Sequence, residues 1–588
     1  MTVGHEKAEP VSAALAAEAE AWMAADPDPS TRTELAALLE AGDGAEVRAR
    51  FEHPLMFGTA GLRGALGAGP ARMNRLVVRR TTAGVAQWVL DQGAEAARRG
   101  IVVGRDARHG SDEFAGDVAT IAAAAGLRVR VVSRPLPTPV TAFAVKHFGA
   151  AAGVMITASH NPASDNGYKL YMADGAQVIP PDDSCISEAV RIVAARTTDS
   201  PTTSMTSPGR VAAPPVELID EAELLGAYRR AAFSLLDPAG ARRLRIVYTP
   251  LHGVGGEVLP SLLEEAGFGP VSVVAAQAAP DPDFPTVPFP NPEEPGALDL
   301  ALADATRLGA DLVLANDPDA DRLAVAVPDP TSGAWRVLTG DELGVLLADH
   351  VLSSTIGADR LVATTIVSST MLSAMAEAAG VAYVETLTGF KWIARAALRR
   401  PGFRLVFGYE EAIGYEVGDA VSDKDGLSAA LVAAELAARA KAQGTSVVGR
   451  LDCLASRFGV HLTAQWSLRL AGPTAQDEMA EIVSRWRRDP PAALAGLAVT
   501  ELVDLSDGNG ELPPTDALVL RLEQGARVVL RPSGTEPKLK GYFEVVTGPV
   551  PLGRLAEARR RADRLLRPLK DEVAARCQSI KGSSASEP

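Results

Sequence analysis

Gly153-Val154-Met155-Ile156-Thr157-Ala158-Ser159-His160-Asn161-Pro162 is the stretch on which the reading of this chain turns. Its apolar start reads as a short buried strand. The strand stops at a Thr-Ala-Ser-His-Asn-Pro turn, and Ser, Asn and Pro are turn formers. Ligands in α/β folds bind beyond the carboxyl ends of strands. A hydroxyl with an imidazole beside it at such an end supplies the parts of an activated nucleophile or a phosphate carrier. Taken alone, the turn reads equally well as punctuation. Downstream, Asp165-Asn166-Gly167-Tyr168-Lys169 adds to the chemical reading. Gly167 permits a tight return, and Lys169 on the next strand can point back at the serine. A cation there favours a phosphate and can exchange a proton if its pKa is lowered.

Working outward, strand Ile101 to Gly104, the turn Arg105-Asp106-Ala107-Arg108, a helix near 111–125, strand Val129 to Val132 and a helix near 138–147 lead into the opening strand. This βαβ alternation predicts a mostly parallel sheet covered on both faces. Two or three short helices are expected over 11–52, then a polar loop from Phe57 to Gly64 and one long helix near 75–98. A hairpin-like piece, Gly167 to Val178, and a helix near 183–196 close the first domain. Residues 197–215 are rich in Thr, Ser and Pro and read as a linker.

The strand–helix pattern then returns twice, with a Pro-rich surface loop from Pro280 to Pro295. The expected fold class is α/β: three similar mixed-sheet α/β domains and a smaller C-terminal α+β domain. The boundaries fall at 1–215, 216–335, 336–454 and 455–575, with a disordered tail over 576–588. A chain of 588 residues is too long for one core, and three or four domains follow from ordinary domain sizes.

The net charge of −15 disfavours nucleic acid and anionic membranes as partners. An anionic substrate therefore needs its cations gathered locally. Cys185, Cys453 and Cys577 lie far apart, which gives neither a zinc cluster nor a disulfide framework. No apolar run reaches the roughly 18 residues of a bilayer span, and the start has no leader pattern. The expectation is a cytoplasmic protein.

Four further stretches carry chemistry. Asp317-Pro318-Asp319-Ala320-Asp321-Arg322 follows an apolar strand and places three carboxylates on one side of an extended turn. Such hard oxygens suit Mg²⁺. An EF-hand is excluded, because Arg322 and Pro328 stand where Gly and Glu are required. An aspartyl-phosphate loop stays open at this point. Thr388-Gly389-Phe390-Lys391-Trp392 places a glycine and Lys391 at a helix start, where a phosphate fits; a plain helix start reads as well.

Glu410-Glu411, at a strand end, can grip sugar hydroxyls or form a surface acidic pair, and Lys424 lies in the Lys-Asp-Gly turn that follows. Arg531-Pro532-Ser533-Gly534-Thr535-Glu536-Pro537-Lys538-Leu539-Lys540 brings hydroxyls, backbone amides and cations together as a phosphate nest, against the alternative of a Pro/Gly hairpin.

In this order, from about Phe57 to Glu544, the motifs resemble the α-D-phosphohexomutase family, most of all its phosphoglucomutase/phosphopentomutase branch. The resemblance implies four domains around a central cleft and an isomerase that moves a phosphoryl group through a phosphoserine and a sugar bisphosphate. It implies Ser159 as the phosphoserine, one Mg²⁺ held by Asp317, Asp319, Asp321 and a phosphate oxygen on Ser159, and a sugar 1,6-bisphosphate activator. Arg63, His160 and Lys169 match positions that assist phosphoryl and proton transfer, and Arg322 matches an active-site position.

Thr388 and Gly389 match the loop that orients the sugar, and Glu410 matches the glutamate that binds its hydroxyls. Arg531, Ser533, Gly534 and Thr535 match the distal phosphate clamp. Hexose-specific relatives carry Glu-x-Ser where this chain has Glu410-Glu411-Ala412, so one hydroxyl contact is missing. Glucose 1-phosphate and 6-phosphate rank first as substrates, with mannose and pentose phosphates as alternatives and a sugar-bisphosphate synthase or phosphatase using the same site ranked behind them, and the expected assembly is a monomer or dimer.

Overall fold

The computed structural model describes residues 10–56, 61–198, 215–470, 475–533 and 538–584. It divides into two compact units, Met1–Val325 with Ala420–Leu431, and Ala326–Asp419 with Val432–Pro588.

The first unit opens with helices Ala13–Ala25, Pro29–Ala41 and Gly44–Phe51. Asp28 caps the second through Ser30 N, and Pro29 sits just inside it, where its missing N–H costs nothing. Trp22, Leu35, Val47 and Phe51 bury themselves in the core of the first sheet, so this segment is part of that domain.

That sheet contains β1 (Leu62–Ala65), β2 (Ile101–Arg105), β3 (Val129–Val131), β4 (Ala152–Ile156), β5 (Asp165–Met172) and β6 (Val216–Leu218), in the order β1-β5-β4-β2-β3-β6. β2 runs parallel to β3 and β4, whereas β5 runs antiparallel to both β4 and β1. Two readings are corrected here. The end of the expected polar loop, Leu62–Ala65, is an edge strand too short and mixed to show periodicity. The single helix at 75–98 is two, Arg75–Asp91 and Ala94–Arg99, separated where Gly93 takes φ +105°. Most of the linker, 199–214, lies outside the described residues.

The second sheet holds β7 (Ile246–Thr249), β8 (Val271–Val273), β9 (Leu312–Ala315) and the start of β10 (Ala324–Pro328), in the order β10-β9-β7-β8. The Pro-rich stretch is not wholly a surface loop. Its Phe284 and Val287 pack with Leu251 and Ala297 in a small core of their own.

In the second unit, β10 pairs antiparallel with β11 (Trp335–Val337). A four-stranded sheet follows, β12 (Arg360–Thr365), β13 (Ala382–Thr386), β14 (Arg404–Glu410) and β15 (Gly414–Val417), in the order β13-β12-β14-β15. The last sheet is antiparallel throughout. It is built from β16 (His461–Arg469), β17 (Ala493–Leu494), β18 (Leu497–Asp504), β19 (Leu518–Leu522), β20 (Ala526–Pro532) and β21 (Lys538–Val546), in the order β16-β21-β20-β19-β18-β17. Helices Ala475–Arg488 and Leu555–Ser584 accompany it. The tail expected to be disordered from 576 is helical to Ser584, and Cys577 is buried in this domain's core. Among the described residues no helix is long and apolar enough to cross a membrane.

Candidate active site

β4 is buried along its whole length and delivers Thr157, Ala158 and Ser159 to the carboxyl edge of the first sheet. Ser159 takes φ +53°, a left-handed conformation that costs a non-glycine residue about 1–3 kcal/mol. Its N–H donates to Thr157 Oγ1 at 2.9 Å. Its Oγ donates to Asp317 Oδ2 at 2.7 Å and stands 3.3 Å from His160 Nδ1. The return strand is possible because residue 167 is glycine. A Cβ there would meet Thr157 O at 2.6 Å and Leu62 O at 2.8 Å. The same register sets Arg63 of β1 opposite Gly167 and Lys169 opposite Met155.

β9 ends in Asn316-Asp317-Pro318-Asp319-Ala320-Asp321, with Ala320 at φ +56°. All three aspartates are fully buried. Arg322 N donates to Asp317 Oδ1 at 3.0 Å, and Thr138 Oγ1 donates to Asp319 Oδ2 at 2.7 Å. Lys169 Nζ lies 2.6 Å from both Asp319 Oδ2 and Asp321 Oδ2. The lysine thus points at the carboxylates, where the sequence suggested the serine.

Burial and the charges of Asp319 and Asp321 push the Asp317 carboxyl well up, which suits an acceptor that shares a proton. Burial acts the same way on Asp319, but the charge and hydrogen bond of Lys169 outweigh it and hold Asp319 low. Asp321 is held low by Lys169, Lys424 and Arg322, against burial and the Asp319 charge. Loss of hydration, with the charges of Arg322 and Arg63, drives His160 well below its usual value, so its imidazole is neutral at pH 7.

The donor set fits a hard divalent cation. One ligand oxygen from each aspartate lies within 4.8 Å of the others. Asp319 Oδ1 and Asp321 Oδ1 are buried without a hydrogen-bond partner. A buried acceptor oxygen left without a donor costs about 1–3 kcal/mol, and a cation bound by oxygens is its natural complement.

Lys424 is relocated relative to the sequence reading. It sits 3.4 Å from Asp321 Oδ2, because Ala420–Leu431 folds into the first unit. That segment is pinned by Tyr171 and Gln177 on Asp423 and by Tyr228 on Asp425. Gly426 is required there, since a Cβ would meet Arg322 O at 2.4 Å.

The other predicted residues fall in the second unit. The Gly389 turn opens a short helix, Phe390–Ile393, with Gly389 as its N-cap and Lys391 in its single turn, where the sequence placed a helix start. Lys391 is buried, 6.0 Å above the Trp392 ring. Thr388 is half-buried beside it.

Glu410 ends β14, and the turn is closed by Ile413 at φ +53°. Glu411 N donates to Ser368 Oγ, and Glu411 Oε2 accepts from Ser368 and Thr365. Loss of hydration and the adjacent Glu410 charge push Glu411 up to about 8, opposed by the charge of Lys540. Arg531 pairs with Lys540 across β20 and β21, and Ser533 N donates to Lys538 O at 2.7 Å. Gly534 and Thr535 lie outside the described residues.

Several residues escaped the sequence reading. Arg108, beyond β2, is buried and donates to carbonyls of the Ser159 loop. Asp341 accepts from Ser369 N at 2.7 Å, and Glu544 accepts from Ser369, Thr370 and His461. The one local signal was a charged pair, Asp106 and Arg108, at the end of a buried strand.

A strand-end serine over a buried carboxylate cluster, on this succession of sheets, is the arrangement of a phosphomutase, an isomerase. Family models of phosphoglucomutase/phosphomannomutase match in order: α/β/α domain I over 54–196, domain II over 228–332, domain III over 339–452 and the C-terminal domain over 483–562. The chain belongs to this family, the α-D-phosphohexomutases. It is 40% identical to a probable phosphomannomutase of Haemophilus influenzae, over 80% of this chain and 93% of that one. It is 38% identical to a probable phosphoribomutase of Schizosaccharomyces pombe, over 89% and 92%. The structure of a putative phosphomannomutase from Thermus thermophilus shares the fold, with a TM-score of 0.64 at 24% identity over 87% of this chain and 98% of that one.

Proposed function

We propose that this phosphomutase moves a phosphoryl group between the anomeric and terminal hydroxyls of an aldose phosphate, through phospho-Ser159 and a sugar bisphosphate. The observation that carries the proposal is the Ser159 hydroxyl held at 2.7 Å from Asp317 in a buried turn beside Lys169, Asp319 and Asp321. In the first step the bond from phosphorus to Ser159 Oγ breaks and one to the sugar oxygen forms. The hydroxyl proton passes to a base, for which neutral His160 is in reach. The bisphosphate then turns over, the bond from its other phosphorus to the sugar oxygen breaks as one to Ser159 Oγ forms, and the base returns its proton to that sugar oxygen.

Such transfer demands positioning and charge neutralisation above all. Mg²⁺ held by Asp317, Asp319 and Asp321 would supply electrostatic relief for the transferring group. Arg63, Arg322 and Lys424 add positive charge around the same carboxylates. In the second unit, Glu410 and Glu411 take sugar hydroxyls beside Thr388, Gly389 and Lys391. Arg531, Ser533, Gly534, Thr535, Lys538 and Lys540 hold the phosphate that is not reacting. A sugar 1,6-bisphosphate, or its pentose counterpart, would prime Ser159.

The name of the Schizosaccharomyces pombe relative, which is similar over most of both chains, moves ribose 1-phosphate and 5-phosphate ahead of the glucose phosphates ranked first from sequence. Ala412, which offers no hydroxyl to a hexose, agrees with that order. The test is phosphorus NMR of ribose, deoxyribose, glucose and mannose 1-phosphates with the protein, Mg²⁺ and a trace of bisphosphate. Isomerisation is expected, with ribose fastest. Chelation of Mg²⁺ and Ser159→Ala should each cut turnover by at least roughly 10³-fold. Full turnover by Ser159→Ala would overturn the phosphoserine route.

A further inference from the structure

Arg108 is a residue that the chemistry above does not use, yet its guanidinium is as buried as Ser159. Its side chain is 1% exposed. A buried guanidinium normally faces a carboxylate in a bidentate pair. Here the nearest carboxylate, Asp106 Oδ2, is 3.5 Å from Nε, and both terminal nitrogens are spent on backbone. One donates to Pro162 O at 2.7 Å and Asp165 O at 3.1 Å. The other donates to Ser159 O at 2.7 Å and Asn161 O at 2.6 Å. Asp106 holds Arg108 in turn, accepting from Arg108 N at 3.0 Å and from Ser111 Oγ at 2.6 Å. The Phe284 ring lies 4.9 Å beneath the guanidinium.

We infer that Arg108 is the positioning residue of the nucleophile loop, setting the direction of Ser159 Oγ by gripping four carbonyls of the turn from behind. Two features of the geometry support this. Ser159 is held in a left-handed conformation that it would not keep by itself. Its N–H is fixed by Thr157 and its carbonyl by Arg108, so χ1 is the freedom left to the hydroxyl. Those carbonyls, turned onto a cation, also cannot point their negative ends at a phosphoryl group. The planar fork of arginine fits four acceptors in this arrangement, and the single ammonium of lysine does not. The inference rests on the phosphoserine reading and extends it to a residue that touches neither substrate nor metal.

The test compares Arg108→Lys and Phe284→Leu with Asp117→Asn. The last breaks a buried ion pair with Arg75 and Arg79 in the same domain, away from the loop. A misplaced reacting atom costs on the order of 10²-fold in rate. Arg108→Lys is therefore expected to lower kcat about 10²-fold, with KM for the sugar phosphate within about threefold of wild type. Phe284→Leu should lower kcat about tenfold. Asp117→Asn should lower the melting temperature and leave kcat unchanged.

In Arg108→Gly, added guanidinium ion should restore turnover at least roughly tenfold. Wild-type kcat in Arg108→Lys would overturn the inference, as would losses in all variants that merely track stability. If Arg108→Lys does not fold, unchanged kcat in Phe284→Leu overturns it. A wild-type protein that isomerises no sugar phosphate and carries no phosphate on Ser159 would overturn the phosphoserine reading, and this inference with it.

Discussion

Both units bury carboxylates at strand ends, but they solve the resulting electrostatic problem differently. In the first, Asp317, Asp319 and Asp321 crowd together, and Lys169, Lys424 and the nearby arginines oppose them. Two of their oxygens stay without a partner, which leaves room for a cation. In the second unit, Glu544 is surrounded by donors from Ser369, Thr370 and His461 and lies 2.9 Å from Arg527. Arg527 in turn donates to Ile366 O and Ser368 O. Glu544 Oε2 is itself buried without a hydrogen bond, but Arg527 stands beside it as a cation, and the cluster joins the third and fourth domains. One unit thus crowds three carboxylates around a shared lysine, and the other sets an arginine against its buried glutamate.

Removing one cation from each unit tests this contrast most severely. Lys169→Met and Arg527→Met each leave buried carboxylates uncompensated, a loss of about 3–5 kcal/mol. Thermal unfolding should show both variants strongly destabilised without metal. Millimolar Mg²⁺ should stabilise Lys169→Met by more than it stabilises Arg527→Met, where it acts only through the intact first-unit carboxylates. No stabilisation of either variant by Mg²⁺ would show that the first cluster is not a cation site.

A smaller effect separates two carboxyls within the second unit. Burial raises Asp341 to about 6, and the Glu544 charge adds to this. Burial also acts to raise Glu544, but the hydrogen bond from His461 and the Arg527 charge outweigh it and lower Glu544 to about 2. A raised carboxyl stabilises fully below its unfolded pKa, and that contribution is lost as pH rises through the folded value. For Asp341 the window runs from about pH 4 to about 6 and the loss is at most about 3 kcal/mol. Glu544 has the opposite sign, with stability present above about pH 4.5 and lost as pH falls toward 2. Asp341→Asn should flatten the melting-temperature profile between pH 4 and 7 and leave the acid limb in place. An unchanged profile would mean that Asp341 is not the group that titrates.

The smallest effect compares two turns with the same backbone. Ala320 and Ile413 both hold a left-handed conformation, at φ +56° and +53°. Ala320→Gly relieves that strain and should stabilise the protein by up to about 1 kcal/mol. Ile413 is 2% exposed, so Ile413→Gly loses a buried side chain and should destabilise by more than about 2 kcal/mol. Calorimetry that found the same sign for both would contradict the packing described for the Ile413 turn.

Much of this was legible in the sequence. An apolar run ending in Ser159, and another ending in three alternate aspartates, announce strand ends, because burial and turn propensity act over a few neighbouring residues. The order of the motifs revealed the family for the same reason. The edge strand Leu62–Ala65 and the break at Gly93 were missed, since four mixed residues and one glycine carry little periodic signal.

Local sequence thus set which residues stand at strand ends and which chemistries they can perform. Tertiary structure alone decided who faces whom. Lys169 meets aspartates 150 and 152 positions away, Lys424 joins them from a segment of the third family domain, and Arg108 reaches around the back of a loop more than 50 positions downstream. The physical reason is that such pairings follow from strand order and from the cost of burying a charge without its partner. Both are properties of the assembled sheets, and no local stretch of the chain encodes them.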